Sequence, residues 1–326
     1  MGADKRKIAI VGAGAVGMSY AYALLNRSAC DELVILDKDK KRAEGEVMDL
    51  NHGLAFAQGH MRISLGNYKD CADADIVVIS AGISQRQHEG RNSLLSGNCE
   101  VVKSIVKPVV SSGFSGIFVV VTNPVDIMAY LTYKLSGFPA KRVIGSGTLL
   151  DTSRLKYLLG EDFRVAPQNV HAYVMGEHGD SEFIPWSIAS ISSKPIRDVK
   201  RGSGNYISGA NLEEIGTDVK FAAQQIIAAK GATNYGIGMS MMRITNAILG
   251  NENSVLTVSA YLNGEYGQHG VYAGVPCIVN RGGIDEILEF NLSKDEQAKM
   301  QSSCDGLRKL CKVLDMHQSP ELTAQY

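Results

Sequence analysis

The sequence predicts an α/β protein with a doubly wound parallel sheet, followed by a mixed α+β substrate domain. In the first half, short runs that are apolar at every position alternate with helical segments, as in a parallel sheet covered on both faces. A glycine-rich turn joins the first of these runs to the first helix. After about residue 150 the strict alternation ends, so we predict two domains, 1–148 and 149–326.

The first half alternates between the two kinds of element. Apolar runs rich in β-branched residues predict strands at 8–11, 33–36, 76–79 and 117–121. Helical spacing of apolar residues predicts helices up to about 25, from 40 to 57 and from 93 to 112. Parallel strands need crossover helices between them, and this order of elements supplies them.

The second half mixes strands and helices in no fixed order. Helices are predicted at 149–159, 212–230, 235–249 and 294–313. Strands are predicted at 170–174, 255–261 and 275–279, with alternating apolar positions from 183 to 191. This order is typical of a mixed sheet with helices packed against it, which is why we expect a second domain here.

The composition argues against several classes of function. The net charge is -1 and the basic residues are scattered, so neither nucleic acid nor another polyanion is an expected partner. No apolar run approaches the roughly 18 residues that cross a membrane. The six cysteines form neither a Cys-x-x-Cys pair nor a cluster with His. We therefore expect reduced thiols, no metal and a cytoplasmic location.

The glycine turn has the form of a dinucleotide-binding motif. Gly12-x-Gly14-x-x-Gly17 follows a predicted strand and opens a helix, and Asp37 ends the next strand. The pyrophosphate would lie at the helix N-terminus, against free backbone N–H groups that include those of Ala15 and Val16. An acidic residue at position 37 accepts hydrogen bonds from ribose hydroxyls and repels a 2′-phosphate, which favours NAD over NADP. The alternative is a structural turn beside a surface Asp. With all parts of the motif present, we predict a Rossmann-type NAD-binding domain.

His178 lies in a glycine-flanked segment after an apolar run, and a single such His is more often structural than catalytic. Five separated motifs change that interpretation, because in this order the chain resembles the lactate/malate dehydrogenase family over nearly its whole length. They are GAGAVG at 12–17, SAG at 80–82, TNPVD at 122–126, GSGTLLDTSR at 145–154 and GEHGDSE at 176–182.

The resemblance implies an acid/base group at one site. His178 would exchange a proton with the substrate oxygen, and Asp151 would hold its ring and raise its pKa. Arg154 would grip the substrate carboxylate with two parallel N–H groups, which a Lys cannot offer. Asp151 and Arg154 are three residues apart on one predicted helix. Without the motif around them, a surface ion pair would be the simpler interpretation.

The same resemblance assigns further cofactor and substrate contacts. Ala81, Gly82 and Asn123 correspond to residues beside the cofactor, and Asn123 also to one beside the substrate. A turn-forming Asn before Pro remains an alternative for Asn123. Thr233 corresponds to the residue beside the methyl group of the substrate, where a small side chain suits pyruvate.

The polar segment 81–91 is expected to be a lid over the site. Arg91 corresponds to the lid arginine that stabilises charge on the carbonyl oxygen. Gln85 corresponds to the position that is Gln in lactate dehydrogenases and Arg in malate dehydrogenases, and this favours L-lactate and pyruvate. Arg86 would take that place if the register slipped by one, but Gln85 has the right spacing to both ends of the segment. The lid departs from the common family pattern at His88, Gly90, Asn92 and Ser93.

Assembly and regulation follow from the resemblance alone. Few residues precede the first predicted strand, so we expect a bacterial type of chain that forms a homotetramer, with a dimer as the alternative. Many bacterial relatives bind fructose 1,6-bisphosphate between subunits through a His and an Arg. Here His171 is matched by Lys156 in place of Arg, so we expect weak or absent activation. Malate dehydrogenase, a broader L-2-hydroxyacid dehydrogenase and a catalytically silent NAD-binding protein remain alternatives.

Overall fold

The computed structural model describes residues 5–83 and 91–318, without the side chains of 91–94 and 315–318. Within these residues the strands are β1 Lys7–Val11, β2 Glu32–Leu36, β3 Arg62–Leu65, β4 Ile76–Ile79, β5 Ile117–Val120, β6 Val143–Gly145, β7 Val170–His171, β8 Ser190–Ile191, β9 Lys194–Pro195, β10 Ser254–Asn263, β11 His269–Asn280 and β12 Gly283–Ile287. The α-helices are α1 Ala15–Arg27, α2 Lys40–Gly53, α3 Arg91–Ser111, α4 Val125–Ser136, α5 Leu149–Phe163, α6 Gly209–Lys230, α7 Tyr235–Leu249 and α8 Lys294–Gln318.

A single large sheet runs through both halves of the chain. In the described residues it has nine strands in the order β12-β11-β10-β6-β5-β4-β1-β2-β3. The first six strands of the chain are parallel, and their order reverses between β1 and β4, which is the switch point of a Rossmann sheet. The predicted fold class is therefore confirmed. Ligands of such sheets bind beyond the carboxyl ends of the strands at the switch point.

The second half adds an antiparallel extension to this sheet. β10 pairs antiparallel with β6 through Ser259 and Gly145, and β11 and β12 continue the meander. A separate small sheet has the order β7-β8-β9 within the described residues. Its buried side chains, with those of α5 and α6, form a second hydrophobic cluster that includes Leu155, Val170 and Val219. The sheet is thus continuous between the halves, while the second half also has a core of its own.

Several predicted elements differ from the observed ones. The strand predicted at 170–174 ends at His171, and the segment 183–191 is mostly loop with a 3-10 turn at Trp186–Ile188. Helix α2 ends at Gly53, before a 3-10 turn, and not at residue 57. Five of the observed strands and α-helices have no predicted counterpart, namely β3, β6, β9, β12 and α4. Most of α4 is buried, from Val125 to Thr132, so its sequence lacks the polar face that marks an amphipathic helix.

The described residues also bear on two compositional expectations. None of their helices is long and apolar enough to cross a membrane. All six cysteines are buried thiols, as expected for small apolar packing groups.

Candidate active site

The turn between β1 and α1 is closed by backbone-to-backbone packing. Gly12 has a φ of 117°, and a Cβ there would lie 2.4 Å from the Ala81 nitrogen, just beyond the end of β4. A Cβ on Gly17 would lie 2.2 Å from the Gly12 oxygen. Residues without side chains are therefore required for this close approach of the β1 turn, the start of α1 and the end of β4.

Gly14 differs from these two glycines because it faces open space. No heavy atom of the described residues lies within 4 Å of a Cβ built on it. Gly14 is also the N-cap of α1 and makes no side-chain cap hydrogen bond, so the first N–H groups of the helix are available to a ligand. A helix N-terminus with no side chain in front of it is suited to bind an anion such as a pyrophosphate. The predicted contacts at Ala15 and Val16 lie in this first turn.

Asp37 is held against the glycine turn. It follows β2 directly, and its Oδ2 accepts a hydrogen bond from the Ala13 N–H at 2.7 Å. Its Oδ1 accepts from the Asp39 N–H at 2.9 Å. The structure therefore brings the predicted ribose-binding carboxylate to the turn.

A buried amide joins two predicted cofactor-contacting segments. Asn98 of α3 accepts a hydrogen bond from the Ile83 N–H at 2.6 Å and donates to the Asn123 carbonyl at 2.8 Å. Thr122 donates to the Ala81 carbonyl at 2.7 Å. These hydrogen bonds connect the segment that follows β4, at Ala81 to Ile83, with the segment that follows β5, at Thr122 and Asn123. The sequence analysis missed Asn98, since a polar residue on a helix gives no sign of burial.

Three of the predicted catalytic and substrate-binding residues form one hydrogen-bonded group. The Asp151 carboxylate lies 2.6 Å from His178 Nδ1 and accepts from Arg154 Nη1 at 2.8 Å. The Asp151 side chain is only 2% exposed, whereas His178 keeps 26% exposure. The Asp151 carboxylate therefore bonds to both the His178 ring and the Arg154 guanidinium, and each of these two groups remains partly exposed to solvent.

The charges in this group shift its pKa values. Burial alone lowers the pKa of His178, but the charge and hydrogen bond of Asp151 outweigh it and raise that pKa to about 9. Burial opposes the charged form of Asp151 as well, yet His178 and Arg154 hold its pKa below the usual value. The imidazolium–carboxylate pair is thus the stable form at neutral pH.

Short polar side chains fix the group locally. Thr152, beside Asp151 on α5, accepts a hydrogen bond from the Val174 N–H at 2.9 Å, and Thr148 donates to the Val174 carbonyl at 2.6 Å. Gly176 then exchanges two backbone hydrogen bonds with Gly274 of β11. These bonds tie the start of α5 to the segment that leads into His178.

The sequence analysis missed a second buried carboxylate beside His178. Asp126 of α4 accepts a hydrogen bond from the His178 N–H at 2.9 Å and another from Ser259 Oγ at 2.5 Å. Burial raises its pKa to about 6, against the opposing effect of these hydrogen bonds. Asp126 belongs to the TNPVD motif, but its burial against another segment is a tertiary fact that no spacing in the sequence reveals.

Glu182 brings a further ionisable group to the pair. One nitrogen or oxygen atom from each of Asp151, His178 and Glu182 lies within 4.8 Å of the other two. Burial and the charge of Asp151 raise the pKa of Glu182 to about 8. Three such groups could surround a cation, but Asp151 already bonds to both His178 and Arg154. We therefore assign no metal here.

The remaining predicted residues are less closely connected to this group. Thr233 lies half-buried in the turn between α6 and α7, and no described hydrogen bond joins it to His178. Gln85 and its neighbours His88 and Gly90 lie outside the described residues, as do the side chains of Arg91, Asn92 and Ser93, although α3 begins at Arg91.

The two residues of the predicted phosphate site differ in exposure. Lys156 on α5 is half-buried, with its Nζ 6.0 Å from the centre of the Tyr173 ring. Burial, with the charge of Arg243, lowers its pKa. His171 on β7 is exposed.

The sheet order and the glycine turn together define a protein of the dinucleotide-binding class. Residues 6–145 match the lactate/malate dehydrogenase NAD binding domain, and residues 148–315 match the lactate/malate dehydrogenase alpha/beta C-terminal domain. The chain belongs to the lactate/malate dehydrogenase family. The predicted family and the predicted cofactor, NAD, are confirmed by these matches.

Individual relatives agree with the family match. The chain is 53% identical to a protein of Geobacillus sp. (strain WCH70) named L-lactate dehydrogenase, over 93% of this chain and 94% of that one. It is 50% identical to L-lactate dehydrogenase 1 of Bacillus cereus, over 93% and 96% of the two chains.

Solved structures give the same result. The fold is similar to that of a lactate dehydrogenase from a Medee basin deep-sea metagenome, with a TM-score of 0.91 at 49% identity, covering 94% of this chain and 98% of that one. For the ligand-bound minor L-lactate dehydrogenase of Enterococcus mundtii, the TM-score is 0.92 at 43% identity, covering 95% and 99%.

Proposed function

We propose that the chain catalyses the reversible, NAD-dependent interconversion of pyruvate and L-lactate. The observation that carries this proposal is the buried Asp151 carboxylate, which is bonded at once to His178 and to Arg154. This arrangement offers a proton donor and a carboxylate-binding cation at one place, and a 2-oxo acid needs both. The names of the relatives at 50% identity and above point to the same substrate pair.

His178 is the proton donor and acceptor in this proposal. Its Nδ1 is engaged by Asp151, so Nε2 is the nitrogen that remains for proton transfer. The imidazolium gives its proton to the ketone oxygen during reduction, and the neutral ring takes the hydroxyl proton during oxidation. When bound, the nicotinamide cofactor supplies or receives the hydride at the carbon that carries this oxygen. Asp151 keeps the ring in one tautomer and stabilises its charge.

Arg154 binds the substrate carboxylate. The side chain is 12% exposed and one of its nitrogens already donates to Asp151, so the guanidinium is held in one orientation. The planar group offers parallel N–H donors to two carboxylate oxygens. Fixing the substrate in this way places its carbonyl near the proton donor and lowers the entropy cost of reaction.

The remaining assignments belong to the same proposal. Arg91 supplies positive charge to the carbonyl oxygen, Gln85 selects the lactate substrate pair, and Thr233 adjoins the methyl group. Asn123 contacts both substrate and cofactor, and the cofactor also meets Gly12, Gly14, Ala15, Val16, Gly17, Asp37, Ala81 and Gly82. We place the domain boundary between residues 148 and 149.

Assembly, regulation and location are also proposed. We infer a homotetramer from membership of the family, with a dimer as the alternative. Activation by fructose 1,6-bisphosphate is expected to be weak or absent, because Lys156 lacks the planar fork of Arg and is partly buried. A clear fall in the half-saturating pyruvate concentration on adding the bisphosphate would contradict the effector proposal.

The location is proposed from the cysteines. Buried reduced cysteines support a cytoplasmic location.

One comparison of substrates tests the function. NADH oxidation is measured with pyruvate, oxaloacetate, phenylpyruvate and 2-oxoisocaproate, and pyruvate should have the highest kcat/KM. A higher kcat/KM for oxaloacetate would favour a malate dehydrogenase, and a preference for the longer acids would favour a broader L-2-hydroxyacid dehydrogenase. Tight NADH binding without turnover would indicate a catalytically silent protein. As a matched variant, Gln85→Arg should move the preference toward oxaloacetate, because it provides a partner for the second carboxylate.

A further inference from the structure

The segment that carries His178 is held from two sides. From α4, the Asp126 carboxylate accepts the His178 N–H at 2.9 Å. From α8, Ser303 Oγ accepts the Glu177 N–H at 2.8 Å and also lies 2.9 Å from Ser181 Oγ. Both anchors are buried, with Asp126 at 2% exposure and Ser303 at 0%. The two contacts differ in one respect, since the first carries a charge and the second does not.

The hydrogen bonds of Asp126 are those of an ionised carboxylate. Both of its oxygens accept: one from a backbone N–H and the other from Ser259 Oγ on β10. Ser259 is fully buried and lies where β10 pairs with Gly145 of β6. This carboxylate therefore joins α4, the His178 segment and the strand at which the second half continues the sheet. A buried negative charge in such a position is costly unless a positive charge lies nearby.

We propose that Asp126 is a positioning residue for His178, which both anchors the backbone of that residue and keeps a second negative charge beside its ring. The proposal rests on the proposed acid/base function of His178. The electrostatic arrangement supports it, since the charge of Asp126 favours the imidazolium and the imidazolium in turn favours ionised Asp126. Burial and these contacts leave the pKa of Asp126 at about 6, so the carboxylate is mostly charged at neutral pH.

Other charged or titratable groups also face this part of the molecule. Among the described residues they are Asp151 and Arg154 of α5, Glu177 and Glu182 of the His178 segment, Lys220 of α6 and Cys304 of α8. Cys304 is neutral at the relevant pH, because burial raises its pKa to about 12. Glu182 is mostly neutral at pH 7, since its pKa is raised to about 8, and it becomes charged before His178 loses its proton near pH 9. At neutral pH, Asp126 is the mostly ionised carboxylate that, besides Asp151, bonds directly to His178.

The Asp126→Asn variant separates charge from anchoring. Its amide oxygen can still accept from the His178 N–H, and its NH₂ group can donate to Ser259 Oγ, so the shape is kept and the charge removed. We expect the alkaline limb of kcat/KM for pyruvate to move down by about one pH unit. The loss in kcat/KM should be about fivefold at the midpoint of the wild-type limb, approach tenfold above it and be small at pH 6.5, with unchanged NADH binding.

Ser303→Ala is the matched control, because it removes the uncharged anchor of the same segment. It should reduce the rate about equally at every pH and leave the limb in place. An Asp126→Asn protein that folds, binds NADH and keeps the wild-type limb would overturn the proposal. If that variant does not fold, Ser259→Ala decides the question. Ser259→Ala raises the pKa of Asp126 but leaves it ionised near pH 9, so this variant should bind NADH and keep the wild-type limb, and a limb that moves with the hydroxyl alone would overturn the assignment of the effect to the charge of Asp126.

A titration without substrate keeps this test separate from the proposed function. The imidazole C–H signal of His178 is identified by its absence from a His178→Asn variant and followed with pH in wild type and Asp126→Asn. If the wild type does not reduce pyruvate, the proposed substrate is wrong, yet the titration still reports whether Asp126 favours the imidazolium. An unchanged His178 titration in Asp126→Asn would contradict the inference about Asp126 itself.

Discussion

The cofactor turn, between β1 and α1, and the hydrogen-bonded group around His178 are formed by different kinds of chemical group. The first consists mainly of backbone and the second of charged side chains. At the turn, the proposed recognition groups are backbone N–H groups of α1, and glycines allow chain segments to approach within distances that a Cβ would block. At His178, the recognition groups are charged side chains around one carboxylate that is 2% exposed. The first region is therefore sensitive to added volume, and the second to changed charge at constant volume.

The largest effect should come from removing the shared charge of the catalytic group. Asp151→Asn keeps the size of the side chain but leaves two cations without their carboxylate. Breaking a buried pair in this way costs about 3–5 kcal/mol, so kcat/KM for pyruvate should fall roughly 10²- to 10³-fold. NADH binding, measured by fluorescence, should stay within a factor of about two because the turn is untouched. Glu161→Gln, at an exposed position of the same helix, is the control and should have wild-type activity. Near-wild-type turnover in Asp151→Asn would show that the charge is dispensable.

Two glycine variants test the other half of the comparison. Gly12→Ala places a methyl group 2.4 Å from the Ala81 nitrogen at a φ of 117°, so the free energy of unfolding should fall by about 1–3 kcal/mol or more. Gly14→Ala meets no described atom within 4 Å and has an ordinary φ of -80°, so it should fold normally. It should nevertheless weaken NADH binding about tenfold or more, because the methyl group would stand before the N-terminus of α1. Thermal unfolding and NADH titration of both variants separate the two effects. Unchanged NADH binding in Gly14→Ala would mean that the open space at Gly14 has no role in binding, and a loss of stability equal to that of Gly12→Ala would mean that this space is not open.

The pH dependence tests the electrostatics of the His178 group. Its pKa is raised from 6.5 to about 9, so its contribution to stability is fully present below pH 6.5 and is lost as the pH rises through about 9. Pyruvate reduction needs the imidazolium, so kcat/KM should be level at neutral pH and fall about tenfold per unit above pH 9. Lactate oxidation should change in the opposite direction. Steady-state rates in both directions from pH 6 to 10.5, with unfolding by denaturant at the same values, provide the measurement. A midpoint near 6.5 would mean that Asp151 does not control the ring.

The two regions differ in how much of their structure could be predicted from the sequence. The cofactor turn depends on local patterns, whereas the His178 group depends on contacts between residues far apart in the chain. The cofactor turn could be predicted because its elements are local: β1 and β2 are buried at every position and apolar at all but the first, and the glycines follow β1 at fixed spacing. The edge strand β3 was not predicted, because its residues are mostly only partly buried and its sequence therefore resembles that of a loop. The three-residue strand β6 is too short to give a pattern.

At the catalytic end, recognition of the residues came from motifs and not from physical patterns. The hydrogen bonds of Asp126 join it to residues 52 and 133 positions away, and no periodicity encodes such distances. The alternating apolar positions from 183 to 191 are typical of a strand, but within them only Ser190–Ile191 form a strand and Phe183 makes a single bridge to Met175. Family resemblance thus selected His178, Asp151 and Arg154 as candidates, and the structure brings them together, whereas the anchors behind them required the tertiary structure.

The smallest effect is expected at Asp37, which combines the features of both regions. Its carboxylate is a charged side chain, but it is held by the backbone N–H groups of Ala13 and Asp39 at 2.7 and 2.9 Å. Asp37→Ala should weaken NADH binding by about tenfold, or roughly 1.4 kcal/mol, because hydrogen bonds to the ribose hydroxyls are lost. NADPH binding should improve, because the charge that repels a 2′-phosphate is removed, so the ratio of the two dissociation constants should move toward one. Asp39→Ala is the control, since it removes a neighbouring carboxylate that caps α2 and leaves Asp37 in place. If Asp37→Ala weakened both cofactors equally, its carboxylate would support the turn without reading the ribose.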